Sequence, residues 1–118
     1  AAGRFGFPNR APYSAAKWGV VGFTKTLSME LGDFKIRCNA ILPGPVDGPR
    51  IQAVIKEKAN ANGQTAEDFT KTWLSMASIK ELIDPKQLAD LVAFVASPLG
   101  RSISGQALNV DGDLQGLM

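Results

Sequence analysis

Ile36-Arg37-Cys38-Asn39-Ala40-Ile41-Leu42-Pro43-Gly44-Pro45-Val46 is the stretch around which the rest of the chain is organised. Ile36 to Leu42 reads as a short buried strand, and Pro43-Gly44-Pro45 ends it sharply because proline cannot donate to a ladder. Upstream, a helix is expected from about Tyr13 to Leu31. Val20, Phe23, Thr24, Leu27 and Leu31 recur at helical spacing and would face a sheet. Ala15, Gly19 and Gly22 form a second, small stripe that would let another helix come close. Interior glycines cost about 1 kcal/mol each relative to alanine, so close packing is the expected reason for them. Gly32 is placed to end the helix in a left-handed conformation. Residues 1–12 read as loop, punctuated by Gly3, Gly6 and Pro8, with Pro12 favouring an extended residue before it.

Downstream, two amphipathic segments are expected at about 50–60 and 66–77. The first carries Ile51, Val54 and Ile55; the second carries Phe69, Trp73 and Met76. Thr65 with Asp68 three residues on resembles a helix-start cap, and Asn60-Ala61-Asn62-Gly63 makes the turn between the segments. Asp84-Pro85-Lys86-Gln87 combines an acceptor cap, a first-turn proline and a glutamine three after the cap. Leu88, Leu91, Val92 and Val95 would form that helix's buried face, and Pro98 marks its end. Ala107 to Val110 reads as the last strand, turned by Asp111-Gly112. The sequence shows no internal repeat, low-complexity tract or linker.

The 118 residues suffice for one domain and are short for two. Apolar residues make up 45% and charged residues 20%, as in a folded globular chain. The net charge of +2 is spread without a basic stripe, so no nucleic-acid partner is expected. Histidine is absent, which removes Ser-His-Asp chemistry and the usual zinc sites; no metal is expected. Cys38 is the only cysteine, so an intramolecular disulfide is excluded and a buried, reduced thiol is expected. No apolar stretch reaches the ~20 residues of a membrane span, and no signal-peptide pattern opens the sequence. No membrane partner and a cytoplasmic location are the expectations.

Tyr13, the only tyrosine, stands four residues before Lys17 in Pro12-Tyr13-Ser14-Ala15-Ala16-Lys17. That is about one helical turn, so both side chains leave the same face. A free phenol is a poor base at neutral pH, and a fixed ammonium beside it favours the phenolate. Such a tyrosine can pass a proton to or from a substrate oxygen. A helix-start tyrosine with a solvated lysine one turn on is the plain alternative.

Three ordered blocks give the pair its context: Arg10-Ala11-Pro12-Tyr13-Ser14-Ala15-Ala16-Lys17, then Ile36 to Val46, then Ile103-Ser104-Gly105-Gln106-Ala107-Leu108-Asn109-Val110-Asp111-Gly112. In this order and spacing they resemble the C-terminal half of the short-chain dehydrogenase/reductase family, over nearly the whole chain. The resemblance implies an α/β fold, the C-terminal half of a doubly wound Rossmann-like parallel sheet. Residues 1–118 would be the C-terminal portion of a single such domain, with a variable lid at about 49–83. It also implies a Gly-rich turn and a catalytic serine upstream, the serine at or just before Ala1. Nothing in this chain matches G-x-G-x-x-G.

The resemblance further implies NAD or NADP as cofactor and a small-molecule alcohol or ketone as substrate. Tyr13 would be proton donor or acceptor, and Lys17 would assist it and bind the nicotinamide ribose hydroxyls. Tyr13, Lys17, Pro43, Gly44 and Val46 would be the cofactor-binding residues. Proline and glycine would let backbone approach the flat ring, and backbone groups near Val46 would hold the carboxamide. Ligands in doubly wound sheets bind beyond the carboxyl ends of strands, so residues 43–50 should lie at the site. Many relatives carry threonine where Gly48 stands, so that contact is absent or supplied otherwise. Asn39 belongs to the strand and is expected as a buried hydrogen-bonding residue. Phe69, Trp73 and Met76 could line an apolar pocket or fasten the lid, with neither favoured. Arg50 reads first as a solvated surface arginine and second as a partner for an anionic substrate group. Asp111 and Gly112 would form a turn and a subunit contact, and a homodimer or homotetramer is expected. The rival function is a non-catalytic, truncated or degenerate relative acting in binding or assembly.

Overall fold

A computed structural model describes residues 1–117. The elements run α1 (Ala11–Glu30), a 3-10 turn (Gly32–Phe34), β1 (Ala40–Pro43), α2 (Pro49–Ala61), α3 (Ala66–Leu74), α4 (Pro85–Ala96), a second 3-10 turn (Pro98–Gly100) and β2 (Ala107–Val110). β1 and β2 are parallel, in the register Ala40–Ala107 through Pro43–Val110. Helices and a parallel pair give the α/β class expected from the sequence.

β1 is shorter at its start than the apolar run suggests, and residues 36–39 are not strand. Their partner segment bends at Gly105, whose φ is 69°. Loop-to-loop bonds replace the ladder there. The Gly105 amide donates to the Cys38 carbonyl at 2.7 Å. The Asn39 side chain donates to the Ile103 carbonyl at 2.9 Å and accepts from the Gln106 amide at 3.0 Å. Asn39 therefore hydrogen-bonds as expected, but it lies just outside β1 and is half-buried rather than buried. Regular pairing starts once both chains are extended. At the far end Pro43 remains in β1, because Ala40 and Gly44 are the residues that donate to Gln106 and Val110. Pro43 is out of phase with them, so its missing N–H costs the ladder nothing.

α1 ends differently from expectation. Gly32 does not take the left-handed position; it opens the 3-10 turn, and Lys35 has φ 60°. The Lys35 and Ile36 amides then close on the Gly32 and Leu31 carbonyls. The apolar stripe also divides. Thr24 is buried, while Val20 is 53% and Phe23 63% exposed. A 20-residue helix is about 30 Å long, and two strands about 4.8 Å apart cannot cover it.

The buried cluster lies between α2 and α3, where Ile55, Ala59 and Phe69 pack together with Ile51, Trp73 and Leu82 against them. α3 stops at Leu74, before the expected 77. Ala77 instead forms an antiparallel bridge with Leu114, and the Gln115 amide donates to the Met76 carbonyl at 2.9 Å. Thr65 caps α3 by accepting from the Asp68 amide at 3.1 Å. α4 carries the full capping box, Asp84 with Gln87. Val95 is its buried residue, and Val92 is exposed against expectation.

Candidate active site

A cleft of about 700 Å³ opens at the carboxyl end of β1. α1 contributes Tyr13 and Lys17 to its wall, the last residue of β1 contributes Pro43, and the turn that follows contributes Gly44, Pro45 and Val46. All five residues assigned to the site from sequence therefore line one cavity. The start of α2 and Trp73 of α3 close another side.

Pro12 lies in the first turn of α1, where its fixed φ suits a helix start. Tyr13 follows at once, 44% exposed. One turn on, the Lys17 Nζ lies 5.4 Å from the centroid of the Tyr13 ring. The ammonium thus sits over the aromatic face, within cation–π range. Phe7 meets Tyr13 edge-on, with centroids 6.3 Å apart at 78°. The Arg10 guanidinium stands 6.0 Å from the Phe7 ring. Sequence reading missed Phe7, because a loop residue six positions away carries no periodic signal.

The turn after β1 is held by Ile83. The Asp47 amide donates to the Ile83 carbonyl and the Ile83 amide to the Pro45 carbonyl, each at 2.9 Å. This parallel bridge uses the neighbours of Val46. The amide and carbonyl of Val46 itself form no hydrogen bond among the described residues. A donor and an acceptor are thus left side by side on a residue that lines the cleft, the pair a planar carboxamide requires.

Gly44 has a physical reason different from the one expected. A side chain there would place its Cβ 2.7 Å from the Asp111 Cα. The glycine lets the ends of β1 and β2 meet, and it still faces the cleft. Asp111 is buried, and its Oδ2 accepts from the Arg4 guanidinium at 2.9 Å. Within this chain Asp111 is thus an internal anchor. Gly48 has φ 155°, a backbone that disfavours any side chain. Threonine at this position would be strained, so the departure from the family pattern is built into the turn.

Of the three lid residues, Phe69 is core, Trp73 lines the cleft, and Met76 is half-buried outside it. No group of three or more histidine, cysteine, aspartate or glutamate residues that could hold a metal exists among the described residues.

The profile of the enoyl-(acyl carrier protein) reductase family matches residues 1–114. The chain is a member of the short-chain dehydrogenase/reductase family. It is 41% identical over 113 residues to a protein of Streptomyces virginiae assigned as the ketoacyl reductase of a monensin polyketide synthase. That match covers 96% of this chain and 43% of the relative. Actinorhodin polyketide ketoreductase, solved with NADPH, superposes with a TM-score of 0.85 at 35% identity, over 94% of this chain and 42% of that one. 4-Hydroxyisoleucine dehydrogenase with NADH superposes at 0.77 and 27% identity, over the same shares. The chain thus spans less than half the length of these members of the family.

Proposed function

We propose that this chain supplies the proton-transfer side of an NAD- or NADP-dependent oxidoreductase that interconverts an alcohol and a ketone. On this reading residues 1–118 are the C-terminal portion of one Rossmann-like domain, with residues 49–83 as its lid. The observation that carries the reading is the convergence of Tyr13, Lys17 and the 43–46 turn on one cleft from separate segments. Relatives that bear ketoreductase and dehydrogenase names, with NADPH or NADH in their structures, support it.

When bound, a nicotinamide would supply or accept the hydride at the substrate carbon. Tyr13 donates its hydroxyl proton to the oxygen of a ketone under reduction and takes the proton back in the oxidation. Lys17, over the Tyr13 ring, would stabilise the phenolate left behind and hold the ribose hydroxyls. Pro43 and Gly44 would lie against the nicotinamide, and the amide and carbonyl of Val46 would hold its carboxamide. A homodimer or homotetramer completes the reading, supported by the exposed apolar and small residues of α1. A cytoplasmic setting belongs to the same reading, and the one cysteine, Cys38, is compatible with it. No helix among the described residues is long and apolar enough to cross a membrane.

Tyr13→Phe in the full-length protein is the decisive variant. Turnover is expected to fall by about 10²–10⁴-fold, with reduced cofactor still binding in a fluorescence titration. Substantial residual turnover removes Tyr13 from the proton step. The second reading, a non-catalytic relative used in binding or assembly, is favoured by the apolar residues exposed along α1. It predicts no cofactor response in the same titration.

A further inference from the structure

The charge of the cleft is out of proportion to that of the chain. Basic and acidic residues nearly balance overall, 13 against 11. Yet Arg10, Lys17 and Arg50 line the cleft, and Asp47 is the one carboxylate among its described lining residues. Lys17 is engaged with the Tyr13 ring and Arg10 with Phe7. Asp47 turns its Oδ1 to the Gly48 amide at 2.9 Å and to Gln52 Nε2 at 2.8 Å, and it forms no salt bridge with these cations among the described residues. Arg50 has no ion pair and no side-chain hydrogen bond among the described residues.

The place of Arg50 also bears on its role. It lies in the first turn of α2, which has no acidic residue and no side-chain cap. A cation at a helix N-terminus opposes the helix dipole. Arg50 is exposed, as the first of its two sequence readings expects, and no partner among the described residues offsets this cost, whereas an anion in the cleft would. The remaining walls, Phe7, Val54, Trp73, Leu114 and Leu117, are apolar.

We propose that the cleft selects an alcohol or ketone carrying a fixed carboxylate or phosphate on an apolar frame, and that Arg50 pairs with that anion. The reaction rests on the oxidoreductase reading; the anion site does not. Arg50 determines specificity and takes no part in the proton step. Bidentate geometry suits guanidinium to either anion better than an ammonium would.

The test compares ketones in matched pairs on the full-length protein. 4-Oxocyclohexanecarboxylate and 4-oxopentanoate are set against their methyl esters, and dihydroxyacetone phosphate against dihydroxyacetone. Turnover with reduced cofactor and equilibrium binding by tryptophan fluorescence are both followed. At least one anionic ketone should exceed its neutral partner by about 10–100-fold in kcat/KM, and in affinity. The pairs distinguish carboxylate from phosphate. Arg50→Gln should erase the preference by raising KM for the anion, leaving the neutral partner and the Tm unchanged. Arg50→Lys should retain part of it. Equal handling of every pair by the wild type overturns the proposal. So does a preference that survives Arg50→Gln, an equal loss on both members, or failure of every anionic ketone to bind. Anion binding that needs Arg50 but never leads to turnover keeps the anion site and sinks the oxidoreductase reading. Turnover of neutral and anionic ketones alike does the reverse.

Discussion

Gly44 and Asp111 show how a single residue connects the fold to the cleft. The space a Gly44 side chain would need is occupied by Asp111 backbone at 2.7 Å, and backbone cannot rotate away as a flexible side chain can. Gly44→Ala should therefore destabilise the protein by about 1–3 kcal/mol through overpacking. It should also displace the 43–46 turn, so a urea titration should show a lower midpoint and cofactor titration a weaker affinity. Asp111 holds the other side. Its Oδ2 binds Arg4 and its Oδ1 accepts from the Asp113 amide at 3.1 Å. Arg4 is about one-third exposed, which screens the pair itself, so the larger share comes from the buried carboxylate's hydrogen bonds. Asp111→Ala should cost about 1–3 kcal/mol. Asp111→Asn, which can still accept from Asp113, should cost less in the same unfolding experiment. Neither role is visible in sequence, where the two residues stand far apart.

At the scale of elements, local chemistry decides where helices begin. Asp84 accepts from the Lys86 amide at 2.8 Å, and Gln87 Oε1 accepts in return from the Asp84 amide at 3.2 Å. Both residues of this box are readable from four consecutive letters, because a cap is satisfied within one turn of chain. Asp84→Ala should cost about 0.5–2 kcal/mol, seen as a fall in Tm with no change in cleft chemistry. Element ends were less legible. The apolar run 36–42 predicts a strand along its whole length, but pairing starts at Ala40, since the partner is bent at Gly105. α3 ends early because residues 76 and 77 are drawn to Leu114 and Gln115. In each case a distant segment sets the boundary, and no local pattern reports it.

For the whole molecule, exposed area is the informative quantity. A folded chain of this size exposes about 6,200 Å²; this one exposes 7692 Å². Its radius of gyration is 16.3 Å, against about 13.5 Å for a compact chain of this length. Trp18, Phe23 and Met29 of α1 are among the exposed residues. Such a surface associates. The 118-residue chain by itself should sediment as more than a monomer, and Trp18→Glu with Phe23→Glu should shift it toward the monomer. A monomeric unmodified chain in sedimentation would refute this. The sequence alone determined the order of helices and strands, the caps at Thr65 and Asp84, and the Tyr13–Lys17 pair, because each is written within a turn or two of chain. Only the tertiary structure decided that Gly44 makes room for Asp111, that the Val46 backbone groups have no hydrogen bond among the described residues, and that Phe7 and Arg10 face the cleft. Those relations join residues distant in the chain, and the packing that brings them together has no period in sequence.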